Sequence, residues 1–282
     1  MAMTINTNIN SLNAQRNAQA TQMSLSTSIQ RLSSGLRVNS AKDDAAGLAI
    51  ATRMDSQARG MTVAIRNAND GISMLQTAES GMQTVSDMLQ RMRELAVQAT
   101  NSTNTSSDVA SLNQEYTQLA SEIGRTISAV QFNGTSILTT TGNYDFQVGA
   151  NSGQTITVNS GTLNLNQASS VSAVFAGSAA SALTTSANSA NAGNIDAIDK
   201  ALQSINDARA QLGAAQSRFQ NTITFLQSAV ENQTAAKGRI MDADFATETS
   251  NLSRAQILQQ AGTAMIAQAN QLPQQVLSLL KG

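Results

Sequence analysis

Between Met61 and Ala99, steps of three and four residues alternate through Met61, Ala64, Ala68, Gly71, Leu75, Ala78, Met82, Val85, Leu89, Met92, Ala96 and Ala99 without meeting a Pro or a polar side chain. Only a helix has that period, and a heptad seam sustained this far needs other helices to cover it. At a rise of 1.5 Å per residue the stretch runs about 55 to 60 Å, longer than an ordinary small domain is wide. Many seam residues are Ala, Gly or Met, which favours close backbone approach and adaptable filling over a bulky core. The partners must come from the same chain or from other copies of it.

Helical patterning recurs on both sides. Ile9, Leu12, Leu25, Ile29, Leu32 and Leu36 mark a weakly amphipathic helix over Ile5 to Leu36, closed near Gly35. Ser40 and Asp43 resemble a capping box that opens a further helix from Lys42 to Ala58. The polar run from Asn101 to the expected N-cap Asp108 separates the seam from Val109, Leu112, Tyr116, Leu119, Ile123 and Val130, a second heptad helix ending near Ala129. So short a polar loop predicts an antiparallel pair. From Asn194, read as an N-cap, Ile198, Ile205, Leu212, Phe219 and Leu226 alternate with Ala201, Ala208, Ala215, Thr222 and Ala229 as a third helix to Lys237. A last helix from Phe245 carries Ala255, Leu258, Gly262, Met265, Ala269, Leu272, Val276 and Leu279.

The middle of the chain reads differently. Asn133-Gly134 is a hairpin-turn dipeptide, and Tyr144, Phe146 and Val148, Ile156 and Val158, and Leu163 and Leu165 alternate as short strands do. Ala168 to Asn194 is an Ala/Ser/Asn tract of low complexity, the expected outward-facing and variable part. The fold predicted is mainly α: long antiparallel heptad helices in a rod-like bundle, a small β-hairpin region, a short low-complexity middle, and terminal helices that pair as a coiled coil on assembly. The divisions expected are 1–42 and 241–282 for assembly, 43–138 and 195–240 for the two halves of the helical bundle, and 139–194 for the variable segment.

Composition narrows the chemistry. The 282 residues include no Cys and no His, which closes disulfides, thiolate sites, imidazole bases and the commonest metal ligand. Asp43 with Asp44 could be read as a metal pair and Asp242-Ala-Asp244 as the DxD of sugar transferases. Acids at helix starts account for both better, because the second lacks a nucleotide-binding context. No nucleophile, phosphate loop or metal cluster stands out, so no enzyme and no cofactor is expected. A net charge of -1 without clustered Lys and Arg speaks against nucleic acid. No stretch approaches 18 apolar residues and no Sec signal is recognisable, so membrane insertion is not expected.

The two ends are long, almost uncharged and apolar on one face. From Met1 to Gln30 the one charge is Arg16, and from Ala255 to Leu280 there is none. Such helices alone bury too little to offset ordering entropy of roughly 1 to 2 kcal/mol per residue, so in isolation they should be largely disordered. Packed against ends of other copies they find apolar and Gln/Asn neighbours without repeating like charges. That argues for a homopolymer with an assembly interface formed by Ile9, Leu12, Leu25, Ile29, Leu32, Leu258, Met265, Leu272, Val276 and Leu279. A monomeric coiled-coil tether would carry charged e and g positions, and a membrane-surface helix would want Lys and Arg on its polar face.

The stretches NTNINSLNAQRN, IQRLSSGLRVNSAKDDAAGLAIATR, NDGISMLQTAESGMQTVSDMLQRMRELAVQATN, QFNGTSIL and SRFQNTITFLQSAVENQTAAKGRIMDADFATETSNLSRAQIL resemble bacterial flagellin over about Thr4 to Leu138 and Ile195 to Leu280. The resemblance implies an extracellular filament subunit, made in the cytoplasm and exported unfolded by the flagellar type III apparatus. It further implies an export chaperone on the C-terminal helical segment, filament cap and junction proteins as partners, and the hook-filament junction proteins as the nearest alternative family. Members with this long-helix motif are recognised by a host Toll-like receptor, and three matched positions carry over as one receptor-facing patch: Arg91, Leu95 and Glu115. Read from the residues alone, Arg91 forms an i,i+4 pair with Asp87, Leu95 lies one residue off the seam as a flanking core contact, and Glu115 is solvated.

Overall fold

The computed structural model describes residues 8–165, 168–175, 183–184 and 188–281. The expected helix start at Ile5, part of the Ala168–Asn194 tract, and the side chains of Leu272, Val276 and Leu279 lie outside the described residues. The chain is mainly α, with two small antiparallel strand pairs among the described residues, and divides into two compact units: Met1–Ser56 with Asn232–Gly282, and Gln57–Glu231.

The second unit holds the core. Its helices are the part of α2 (Ala45–Ala99) beyond Ser56, α3 (Ser106–Ala129), and most of α6 (Asn188–Met241). Antiparallel order of α2 and α6 follows from two cross-helix pairs, Arg93 with Asp199 and Glu79 with Gln216, and Arg91 with Glu115 ties α2 to α3. From Ala64 on the predicted seam is buried as one strip, with Leu75, Met82, Val85, Leu89 and Met92 all at 0% exposure, and Met61 at its start is half-buried. Ile123 and Ile127 of α3 and Ile198, Ile205, Leu212 and Phe219 of α6 close on it. The small residues have a packing reason: a Cβ on Gly71 would lie 2.9 Å from the Phe219 ring, and one on Gly81 would lie 2.6 Å from Val130 Cγ2.

Several expected boundaries move. α2 is one 55-residue helix with no break between Ala58 and Met61. It starts at Ala45 rather than Lys42, because Asp43 closes a turn by accepting from the Ser40 N–H at 2.9 Å and Asp44 accepts from the Gly47 N–H at 2.7 Å as the cap. α3 starts at Ser106: Thr105 is the N-cap, and Asp108 is the acid of a full capping box three residues on. Asn194 is not a cap. It lies inside α6 at 4% exposure, and the helix runs on through Gly238 to Met241.

Asn133 and Gly134, both with positive φ (48° and 77°), turn β1 (Gln131–Phe132) into β2 (Thr135–Ser136), as an Asn-Gly hairpin requires. β3 (Tyr144–Gln147) pairs with β4 (Thr155–Val158) in the register Tyr144↔Val158 to Gln147↔Thr155. Ile156 and Val158 point inward, and the Phe146 ring meets Phe219 edge-on at a centroid distance of 5.4 Å. Leu163 and Leu165 are not on a strand. Leu163 ends α4 (Ser160–Leu163), and the Leu165 N–H donates to Leu138 O at 3.1 Å. Val171 and Val174 of α5 (Ser169–Phe175) are buried in the same cluster, and α5 packs on α3. Through these two side chains this part of the low-complexity tract is anchored on the core.

The first unit is a helix pair. α1 (Ile9–Ser34) and α7 (Phe245–Lys281) lie antiparallel, joined by Asn8 Nδ2 donating to Ala269 O (2.7 Å), Ser11 Oγ to Asn270 Oδ1 (2.7 Å) and Gln259 Nε2 to Gln22 Oε1 (2.6 Å). Gly35 ends α1 in the left-handed conformation (φ 71°). The chain that follows is bridged to the end of α6: Leu36 pairs with Asp242, the Arg37 N–H donates to Met241 O at 2.6 Å, and the Ala243 N–H donates to Gly35 O at 3.0 Å. The Arg37 guanidinium caps Ile240 O at 2.7 Å, satisfying a carbonyl at a helix end. Asp244 then starts α7 by accepting from the Ala246 N–H at 3.0 Å.

Candidate functional site

The α1–α7 pair carries the most unusual surface of the chain. Of the expected assembly residues, Ile9 and Met265 are each 62% exposed, and Leu12, Ile29 and Leu258 are about half exposed. Leu25 is buried at 8% and Leu32 is half-buried. Met23, Phe245 and Ile257, which heptad spacing does not single out, are also open to solvent. Their signal in the sequence is large apolar side chains on an otherwise Gln/Asn/Ser surface. A groove of about 520 Å³ runs along the pair, walled in part by Ala14, Ala18, Leu258, Ala261, Gly262 and Met265. Small residues make it: a Cβ on Gly262 would sit 3.7 Å from the Ala18 Cβ.

Among the described residues the pair buries one charged side chain. Glu248, 7% exposed, lies 3.8 Å from Arg31, whose Nε is buried without a hydrogen-bond partner. Sequence reading missed this pair because its members are separated by most of the chain. Elsewhere the acids act as expected of helix starts. The Ser40 hydroxyl and backbone N–H hold the Asp43 carboxyl below its ordinary value, and the Thr247 hydroxyl with the Thr247 and Ala246 N–H groups does the same for Asp244. Among the described residues no group of three or more acids could hold a metal, and no helix is long and apolar enough to cross a membrane.

The second candidate surface is on α2 and α3 of the second unit. Arg91 Nε donates to Glu115 Oε1 at 2.8 Å and Nη1 to Glu94 Oε2 at 2.9 Å, and these bonds raise the guanidinium pKa further above its ordinary value. The expected Asp87–Arg91 pair gives way to them, and Asp87 accepts from Gln83 Nε2 at 2.7 Å. Arg91 and Glu115 are thus brought together across two helices and stay half exposed. Leu95 is not on this surface. It is 1% exposed and part of the core, so the three residues do not form one open patch.

A sparsely charged helix pair made from both chain ends, with large apolar side chains left open, in a chain that also holds a separately cored helical unit, has the character of a structural subunit rather than of a ligand-binding site. A model of the bacterial flagellin N-terminal helical region matches residues 5–143, and one of the C-terminal helical region matches 195–280. The chain is 46% identical to flagellin of Halalkalibacterium halodurans over 99% of its own length and all of that protein's. It is 44% identical to flagellin of Xenorhabdus nematophila over the full length of both, and 40% identical to the flagellar filament 33 kDa core protein of Treponema phagedenis over 99% of this chain and 100% of that one. The chain belongs to the bacterial flagellin family, structural subunits of the flagellar filament.

Proposed function

We propose that the chain polymerises through the α1–α7 pair, with residues 1–42 and 241–282 forming the inner layer, 43–138 and 195–240 the helical body, and 139–194 a short variable outward-facing segment. The observation that carries this is the exposure of Ile9, Leu12, Ile29, Leu258 and Met265 on helices that offer almost no charge. The open half of each side chain gains nothing in water; covered between copies it contributes roughly 1 kcal/mol, about half the value for full burial. The subunit is made in the cytoplasm, exported unfolded by the flagellar type III apparatus with a chaperone on its C-terminal helical segment, and added outside the cell with cap and junction proteins as neighbours. Seeded polymerisation followed by sedimentation and negative-stain microscopy tests the assembly. Filaments are expected, and protein that stays in the supernatant with competent seeds would sink the reading.

A second reading, recognition by a host Toll-like receptor, is favoured by the exposed Arg91–Glu115 pair. Arg91 and Glu115 offer direct polar contacts, and Leu95 acts from beneath by holding α2 in the core. Arg91→Ala and Glu115→Ala should each weaken activation of a receptor-bearing cell line at unchanged helicity, whereas Leu95→Ala should also lower the melting temperature. Full activation by the Arg91→Ala/Glu115→Ala double variant would remove the reading.

A further inference from the structure

We propose that, among the described residues, Met23 and Met265 are the oxidation-sensitive sites, and that converting their thioethers to sulfoxides stops the terminal helix pair from assembling. The second half of this rests on the filament reading above. The chain has no Cys, His or Trp, so a two-electron oxidant meets its softest nucleophiles in the eleven Met sulfurs. Met1 and Met3 lie outside the described residues. Burial sorts the rest. Met74, Met82 and Met92 are at most 3% exposed, Met54, Met61, Met88 and Met241 are half-buried, and Met23 and Met265 stand open at 63% and 62%.

Both open sulfurs lie where assembly needs an apolar surface. Met265 walls the α1–α7 groove beside Leu258 and Gly262. Met23 shares with Ile9 and Leu12 an arc of about 60° on α1, on the side away from Leu25, at 100° per residue. With hydrogen peroxide as oxidant, the sulfur lone pair attacks one peroxide oxygen. The S–O bond forms as the O–O bond breaks, sulfur gives up two electrons, and the other oxygen leaves as water after taking the proton from the transferred one. The thioether thereby becomes a polar acceptor, which an interface of Ala, Leu and Gly does not satisfy. In the assembled filament both sulfurs are covered, so the sensitivity belongs to the subunit before it is added.

The full-length monomer and preformed filaments are each treated with graded hydrogen peroxide, mapped by peptide mass spectrometry, and the monomer is then seeded and sedimented. Tryptic peptides Asn17–Arg31 and Ala255–Lys281 each contain a single Met, so the two sites read independently. In the monomer Met23 and Met265 should be oxidised about tenfold faster than Met74, Met82 and Met92, and in filaments that advantage should disappear. Seeded yield should fall with their oxidation and return after treatment with methionine sulfoxide reductase. The double variant Met23→Leu/Met265→Leu, a volume-conserving change, should assemble untreated and keep its yield after the same dose. Faster oxidation at any buried or half-buried Met would overturn the siting. Equal loss of yield in the double variant, or an oxidised parent that reductase does not rescue, would overturn the consequence. Untreated parent that fails to join seeds would overturn the filament reading alone, with the peptide map still testing the siting.

Discussion

The two units are built from the same kind of helix and differ in what they cover. In the second unit α2, α3 and α6 bury Leu75, Leu89, Ile123, Ile205 and Phe219 completely, and every member of the hydrophobic cluster lies between Ala68 and Phe219. In the first, the buried apolar residues are few and mostly small: Leu25, Val38, Ala51, Ala255 and Ala269, while side chains of Leu and Met size stay in water. Heptad spacing therefore does not by itself say whether a stripe will be satisfied within the chain. What separates the cases is the presence of a third element. α3 and the hairpins close the second unit, and the α1–α7 pair packs against each other across Ala, Gly and Ser.

That contrast can be broken most decisively at Met265. Met265→Lys should abolish seeded polymerisation, since a charge repeated in every copy of an assembled core and left unpaired costs several kcal/mol per site. The same variant should melt like the parent monomer by circular dichroism; a large fall would mean that α7 is part of the folded core. Next in size is the core itself. Leu89→Ala should lose about 3 kcal/mol in denaturant unfolding, whereas Leu25→Ala in the first unit should lose about 1 kcal/mol or less. Gly81→Ala should cost about 1 to 3 kcal/mol by forcing Val130 aside, and a neutral result would show that α2 and α3 can part without penalty.

The smallest effect is at the start of α3. Thr105→Ala should cost about 1 kcal/mol as a lost N-cap. Its pH dependence has a definite sign. The Thr105 hydroxyl and N–H hold the Asp108 carboxyl below its ordinary value in the folded chain, so their stabilisation is present above that value and is lost as pH falls through the lowered one. The gap between parent and Thr105→Ala should be full near neutrality and narrow in acid. A gap that widens in acid would show that Asp108 is not the partner that matters.

Much of the second unit was legible because the seam from Ala64 to Ala99 is uninterrupted and tertiary packing agrees with it residue by residue. Ends were harder. Asp108 reads as a cap but is the reciprocal acid of one, and Asn194 has cap chemistry yet is buried inside α6, where neighbours outweigh local preference. Leu163 and Leu165 alternate as strand residues do, but two apolar positions do not fix a period, and the chain there turns through α4. At the candidate sites, the terminal apolar residues were readable from their setting of Gln and Asn. Glu94 and Glu248 were not, because their partners are selected by side-chain reach and by folding of distant segments. Leu95 lay one step off the seam, and a stripe broader than two heptad positions took it inside.

The bridge at Leu36 and Asp242 sets a common zero for α1 and α7. Both helices leave from it, one running back toward the N-terminus and one forward to the C-terminus, so angular phase along the pair is counted from a single point. Each residue advances a helix by about 100°, and a one-residue insertion between Leu32 and Gly35 would turn everything from Leu32 back to Ile9 by that angle relative to α7. Composition, helicity and the bridge would survive, yet Leu25 would swing out of the pair and Leu12 would change sides. The clasp thus acts as an index mark, and the length of chain between it and each apolar side chain carries as much information as the side chain itself.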